Sequence, residues 1–146
     1  MIKRILGEDI SYRGKLEVTS GLKISYVSQD AEQLCGMIDE FAIKEGVDPT
    51  LLKALLRKLD FSRIQFEKPM ESYSGGQKKK VLLAKSLCEQ AHLYIWDEPL
   101  NYIDVISRLQ IETLILEYKP TMLFVEHDEA FVNDIATKVC RISLNQ

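Results

Sequence analysis

The sequence has 146 residues, of which 46% are hydrophobic and 28% charged, a balance typical of one globular domain with a buried core. Its formal net charge of -3 argues against a general nucleic-acid binder, which carries a basic surface. No apolar run is long enough for a membrane helix or a signal peptide, and three widely spaced cysteines favour a reducing compartment, so we expect a cytoplasmic protein without a membrane segment.

The first predicted strand lies in LKISYVSQD, residues 22–30, where β-prone residues run into a polar loop at Gln29. Residues 32–59 change to helical spacing, and Pro49 is placed to open a second helix. The pattern predicts a small helical insert whose apolar side consists of Leu34, Met37, Ile38, Phe41, Leu51, Leu52, Leu55, Leu56 and Leu59.

The next feature is ESYSGGQKKK, residues 71–80, which places a serine and two glycines before another predicted helix. Ser74 is a suitable N-cap, because its hydroxyl can accept from a free backbone N–H. Gly75 and Gly76 lack Cβ atoms and would also let a phosphate approach the helix N-terminus. The stretch alone leaves both interpretations open. We expect the lysines at 78–80 to form a solvated face and the rest of the helix to be mostly buried.

Residues 92–128 have the pattern of a strand, a helix and a second strand. HLYIWDEP (92–99) and TMLFVEHD (121–128) are short apolar runs with polar ends, and residues 104–119 have helical periodicity. Such a unit predicts a parallel sheet with a ligand site at the carboxyl ends of its strands. KVCRISL (138–144) would add one strand. The predicted fold class is α/β, a mostly parallel sheet flanked by helices, with a small helical insert.

The polar residues at these strand ends allow two interpretations. Asp97 could hold Mg²⁺ while Glu98 orients or deprotonates a water, or Asp97 could simply cap the next helix. A lone histidine at a strand end is more often structural. A catalytic role for His127 is nevertheless favoured here, because a phosphoryl-transfer site needs a polar donor opposite the acid that activates the water.

Five motifs in this order resemble those of an ATP-binding cassette (ABC) ATPase domain, a P-loop NTPase. Gln29 after a strand, SYSGGQ at a helix start, LYIWDEP, NYID and VEHD look like its Q-loop, signature, Walker B, D-loop and H-loop. The stretch WDEPLNYIDV resembles the corresponding stretch in the ABC-F branch of the family. Members of that branch are soluble tandem-cassette ATPases that act on ribosomes. The resemblance is strongest to members that protect ribosomes from antibiotics.

The resemblance implies a division of the chain and a role for each motif residue. Residues 1–30 would hold part of the sheet and the Q-loop, 31–72 the helical subdomain, and 73–146 the signature helix, Walker B, D-loop and H-loop. Asp97 would hold Mg²⁺ through its water shell, and Gln29 would contact the metal and the attacking water. Glu98 would be the general base and His127 the γ-phosphate sensor. The γ-phosphate of an ATP bound mainly to a second cassette would be capped by Ser74, Gly75, Gly76 and Gln77, and Asp104 would couple the two sites.

One motif of a complete cassette is missing from the sequence. The phosphate loop has the pattern G-x-x-x-x-G-K-[ST], but the only Gly-Lys pair, Gly14-Lys15, is followed by Leu16. In the family, a sequence similar to ILGEDISYRGKLEV follows the phosphate loop, so we expect this chain to begin just after that loop. We therefore expect the isolated chain to be inactive and to self-associate through uncovered apolar surface. ATP and Mg²⁺ would bind in a complete two-cassette parent, whose partner would be the ribosome.

Two alternatives stay open at this point. One is the ATP-binding subunit of an ABC transporter. Against it, the stretch from 29 to 72 that separates Gln29 from the signature is short for the helical subdomain with which family members bind a membrane partner. The other is a non-catalytic interaction module that retained the signature helix as a dimer surface, which nucleotide binding would distinguish from an ATPase.

Overall fold

The computed structural model describes residues 1–11, 13–31 and 33–141. Within these ranges the chain forms a small sheet of three strands, with most of its helices between the first and the second strand. The strands are β1 (Ile24–Val27), β2 (Leu93–Asp97) and β3 (Met122–Val125). The helices are α1 (Ile2–Ile5), α2 (Ile38–Lys44), α3 (Pro49–Lys58), α4 (Arg63–Phe66), α5 (Gly75–Cys88), α6 (Val105–Tyr118) and α7 (Glu129–Ile135), with a short 3₁₀ turn at Met70–Ser72.

The sheet is parallel, with β2 in the middle between β1 and β3. Val27 lies beside Trp96, and Asp97 lies beside Val125, so the carboxyl ends of all three strands meet at one edge. The helix α6 connects β2 to β3, as a parallel crossover requires. The prediction of an α/β fold with a parallel sheet is confirmed, and the loops after the three strands open on the same side.

The helical insert and the sheet share one hydrophobic core. Ile95 and Trp96 of β2 are fully buried. In the insert, α3 begins at Pro49 with Asp48 as its N-cap, whose side chain accepts from the backbone N–H of Thr50. This start turns the side chains at positions 52, 55, 56 and 59 inward, and all four are buried. The insert is therefore fixed to the sheet by the packing of α3 on α5.

Several sequence expectations differ from the structure in detail. The helix α2 begins at Ile38, later than the helical spacing from residue 32 suggests, and Leu51 is exposed because it lies on the outer side of α3. Residues 138–141 form no strand, and the rest of the strand predicted at 138–144 lies outside the described residues. In the part of the chain that the structure describes, every helix is too short or too polar to span a bilayer.

The lysine run differs most from its prediction as a solvated face. Lys79 is fully buried and Lys80 nearly so. Both ammonium groups find backbone acceptors inside the protein: Lys80 donates to the carbonyl of Leu59 at 3.0 Å, and Lys79 to carbonyls that follow β1. Since a buried charge is tolerated only when it is hydrogen-bonded, these acceptors explain the burial.

Candidate active site

Glu98, the first residue after β2, is the centre of a polar cluster at the carboxyl edge of the sheet. Its backbone N–H donates to the carbonyl of Val125 at 2.9 Å, continuing the pairing with β3. Its Oε2 accepts from Gln29 Nε2 and from Asn101 Nδ2, each at 2.8 Å. His127 Nε2 lies 3.6 Å from the other carboxylate oxygen, Oε1. Loops after all three strands thus bring a side chain to one carboxylate.

The exposure of this cluster leaves it open to small molecules. The Glu98 side chain is 23% exposed, whereas that of His127 is 83% exposed. The two donors on Oε2 are within hydrogen-bond distance, but the separation of Oε1 and His127 Nε2 exceeds that of a hydrogen bond. Oε1 is therefore the carboxylate oxygen that remains available to accept from a water or a ligand.

Sequence reasoning missed two members of this cluster. Asn101 follows Glu98 by three residues, and its backbone N–H closes a turn on the Glu98 carbonyl at 3.3 Å, which aims its amide at the carboxylate. The Glu126 carboxylate accepts from the backbone N–H of Leu100 at 3.1 Å and from that of His127 at 2.8 Å. Glu126 therefore joins the loop after β3 to the loop after β2. The sequence signal that could have identified Glu126 is its position as an acid directly after an apolar strand.

Asp97 and Gln29 are the candidate metal ligands. Asp97 ends β2, adjacent to the cluster, and contributes a carboxylate. Gln29 donates to Glu98 through Nε2, so its Oε1 is the amide atom left to act as a ligand. Mg²⁺ binds oxygen ligands and is usually held by one or two carboxylates together with substrate phosphates. Asp97 and the Gln29 amide therefore supply oxygen ligands of the kind that Mg²⁺ takes, although the described residues contain no group of three His, Cys, Asp or Glu side chains that could hold a metal ion by themselves.

The start of α5 is a capping box. The Ser74 hydroxyl accepts from the backbone N–H of Gln77 at 3.2 Å, and the Gln77 side chain accepts from the backbone N–H of Ser74 at 2.9 Å. The N-cap predicted at Ser74 is confirmed, and Ser74 and Gly75 are exposed.

The two glycines differ in their surroundings. A Cβ at Gly76 would lie 2.5 Å from the backbone carbonyl oxygen of Tyr102, closer than any real contact. A Cβ at Gly75 would only meet the Tyr102 ring at 3.6 Å. Gly76 is therefore required where α5 packs on the chain after β2, and Gly75 has no such requirement.

Asp104 is the N-cap of α6. Its carboxylate accepts from the backbone N–H of Ser107 at 2.9 Å and from the Ser107 hydroxyl at 2.6 Å. These bonds lower the pKa of Asp104 to about 2, with a smaller contribution from Lys80, whose ammonium lies 3.7 Å away. The same side chain is 61% exposed, so it is also open to contact from outside.

Comparison with protein families matches residues 3–101 to the family described as ABC transporter. ATP-binding proteins named Uup or Uup-like that are 31% identical include one from Buchnera aphidicola over 149 residues and one from Haemophilus influenzae over 147, each covering 94% of the chain. The ABC transporter F family member 2 of Arabidopsis thaliana is 28% identical over 148 residues and covers 97% of the chain. The chain spans 24%, 32% and 22% of these relatives' lengths, less than a third of each.

Similar solved structures include the archaeal ribosome recycling factor aABCE1, in complex with the ribosomal stalk protein aP1. It matches with a TM-score of 0.72 and 26% identity, covering 92% of this chain and 27% of that one. The structure named RNase-L Inhibitor matches with the same values. The cobalt transport ATP-binding protein cbiO-2 has a TM-score of 0.64 at 22% identity over 77% of this chain and 44% of that one, a likeness of fold.

Proposed function

Because this chain belongs to the ATP-binding cassette (ABC) family, we propose that it is the part of a cassette that activates water for ATP hydrolysis and caps a second cassette's nucleotide. The observation that carries the proposal is the convergence of Gln29, Asn101 and His127 on the Glu98 carboxylate. In this assignment residues 1–30 and 73–146 belong to the nucleotide-facing core, and 31–72 form the helical subdomain.

Glu98 is the general base in this proposal. Gln29 and Asn101 hold its Oε2, which fixes the orientation of the carboxylate. Oε1 then accepts the proton of the attacking water, and His127 donates to the γ-phosphate oxygens as negative charge develops there. Asp97, through the water shell of the metal, and the amide oxygen of Gln29 would hold Mg²⁺, which would neutralise charge on the phosphates.

The start of α5 provides the second function. Ser74 accepts from Gln77 and keeps its own hydroxyl proton, which can be donated to a phosphate oxygen. Free N–H groups of the first helical turn point the same way, and the helix dipole favours an anion there. Gly75 is exposed and leaves the approach open. In this proposal the phosphate cradle of each ATP is supplied by residues outside the 146.

The proposed biological setting is the cytoplasm, where a two-cassette ABC-F parent acts on the ribosome. Support comes from the relative named as an F family member and from the structural likeness to a ribosome recycling factor. The similarity of WDEPLNYIDV to resistance proteins favours ribosome protection from antibiotics as the specific role. A net charge of -3 gives no general attraction to RNA, so ribosome contacts are assigned to other parts of the parent.

The proposal is tested by trapping the parent on ribosomes. Glu98→Gln, combined with the equivalent change in the sister cassette, should retain ATP in the closed state and cause the parent to co-sediment with ribosomes. Glu129→Gln is the matched control, because Glu129 is an exposed acid at the start of α7. A trapped parent that ignores ribosomes and binds a membrane permease would support the transporter alternative. Failure to bind any nucleotide would support the interaction module.

A further inference from the structure

Lys79 is a buried cation that contacts the loop carrying Gln29, a residue of the candidate active site. It lies one turn inside α5, and its side chain is fully buried. Its ammonium donates to the backbone carbonyls of Ser28 at 2.8 Å and Gln29 at 3.2 Å. Burial lowers the pKa of Lys79, and the nearby carboxylates of Asp97 and Glu98 act in the opposite direction.

The two ends of Gln29 are held by different partners. Its backbone carbonyl accepts from the Lys79 ammonium, and its side-chain amide donates to Glu98 at 2.8 Å. Because Gln29 follows the end of β1 and is exposed, no strand pairing fixes its backbone. The ammonium of Lys79 therefore supplies a constraint that the sheet does not.

We propose that Lys79 is a positioning residue: by clamping the carbonyls after β1, it holds Gln29 in the orientation from which its amide contacts Glu98. The inference rests on the proposed function, in which Glu98 is the base. It links the phosphate-facing start of α5 to the acid that activates water, because the lysine on the first turns of that helix sets the position of the glutamine.

The neighbouring Lys80 shows that this contact is specific. Successive residues of a helix point about 100° apart, since there are 3.6 residues in a turn. Lys80, also buried, accordingly reaches the carbonyl of Leu59 and the carboxylate of Asp104. Two adjacent buried lysines thus connect α5 to different loops, and only Lys79 contacts the loop that carries Gln29.

The test is a double-mutant cycle in the complete two-cassette parent. Lys79→Met keeps the volume of the side chain and removes the ammonium. We expect kcat for ATP hydrolysis to fall by about 10²-fold, because the base loses a correctly placed partner, with little change in KM. Gln29→Ala should lower kcat similarly, and the double variant should be no slower than Gln29→Ala alone.

The control is Lys85→Met, which removes another partly buried lysine from the same helix. Lys85 pairs with Glu45 and Glu89 and has no contact with Gln29, so its loss should lower stability and leave kcat near the parent value. Multiplicative losses in the Lys79→Met and Gln29→Ala double variant would overturn the proposal. If Lys79→Met does not fold, Lys79→Gln is measured against the same outcomes.

A second readout is independent of hydrolysis. In the parent labelled with ¹⁵N-glutamine, Lys79→Met should shift or broaden the side-chain amide signal of Gln29, and Lys85→Met should not. An unchanged Gln29 signal in Lys79→Met would overturn the inference even if the parent hydrolyses ATP. A parent without hydrolysis, but with the expected change in this signal, would instead contradict the proposed function and leave the positioning role supported.

Discussion

The start of α5 and the cluster around Glu98 both contact the segment 98–104, but different forces hold them. At α5, backbone packs on backbone where Gly76 meets the carbonyl of Tyr102. Around Glu98, the contacts are polar side chains on the surface, and His127 is 83% exposed. The difference indicates that substitutions at the helix start will change stability, and substitutions in the cluster will mainly change chemistry.

The segment that joins the two regions has an unusual backbone. Glu98 and Tyr102 both have positive φ, 48° and 66°, a conformation that residues other than glycine rarely adopt. Surrounding contacts must stabilise it, and they come from both regions: the N–H of Glu98 donates to Val125, and Tyr102 packs on Gly76. A change at the helix start can therefore disturb the cluster. Replacing a side chain of the cluster should affect the helix start little, because Glu98 contacts Val125 through its backbone N–H.

The largest effect on stability is expected for Gly76→Ala. The new methyl group would lie 2.5 Å from the carbonyl oxygen of Tyr102, so α5 or the segment must move. We expect a loss of about 1–3 kcal/mol in the free energy of unfolding, measured by urea denaturation of the chain at one low protein concentration for all variants, since self-association makes apparent stability depend on concentration. Gly75→Ala is the matched control, because its methyl group would make an ordinary 3.6 Å contact. Equal stability of the two variants would contradict the close packing.

A smaller effect is expected for Asp104→Ala, which removes the N-cap of α6. The loss should be about 1 kcal/mol at pH 7. Since the pKa of Asp104 is lowered from 3.8 to about 2 in the folded state, the cap contributes above pH 4 and is lost as the pH falls towards 2. The difference in thermal midpoint between the parent chain and Asp104→Ala should therefore narrow between pH 4 and pH 2. A difference independent of pH would show that the carboxylate is not the stabilising group.

The smallest effect is expected for His127→Ala. A surface contact of 3.6 Å between the imidazole of His127 and the Glu98 carboxylate contributes little to stability, so the free energy of unfolding should change by less than about 0.5 kcal/mol. The same urea denaturation measures this value. A loss as large as that of Gly76→Ala would remove the distinction between the two regions.

The sequence predicts those parts of the fold that depend on local patterns. The apolar runs before Asp97 and His127 identify β2 and β3, and Ser74 is recognised as a cap because its partner is three residues away. The burial of Lys79 could not be predicted, since its acceptor at Ser28 is 51 positions away in the chain. The requirement for Gly76 depends on Tyr102 in the same way. Contacts between distant segments thus decide the details that local patterns leave open.

The central claim is that Glu98 is the base of an ATP-hydrolysing site, and one comparison tests it directly. ATP binding and single-turnover hydrolysis are measured for the complete parent and for Glu98→Gln, with Glu129→Gln as control. An amide cannot take the proton of the water, so Glu98→Gln should bind ATP as the parent does and hydrolyse it about 10²–10⁴-fold more slowly. Hydrolysis by Glu98→Gln at the parent's rate would contradict the account.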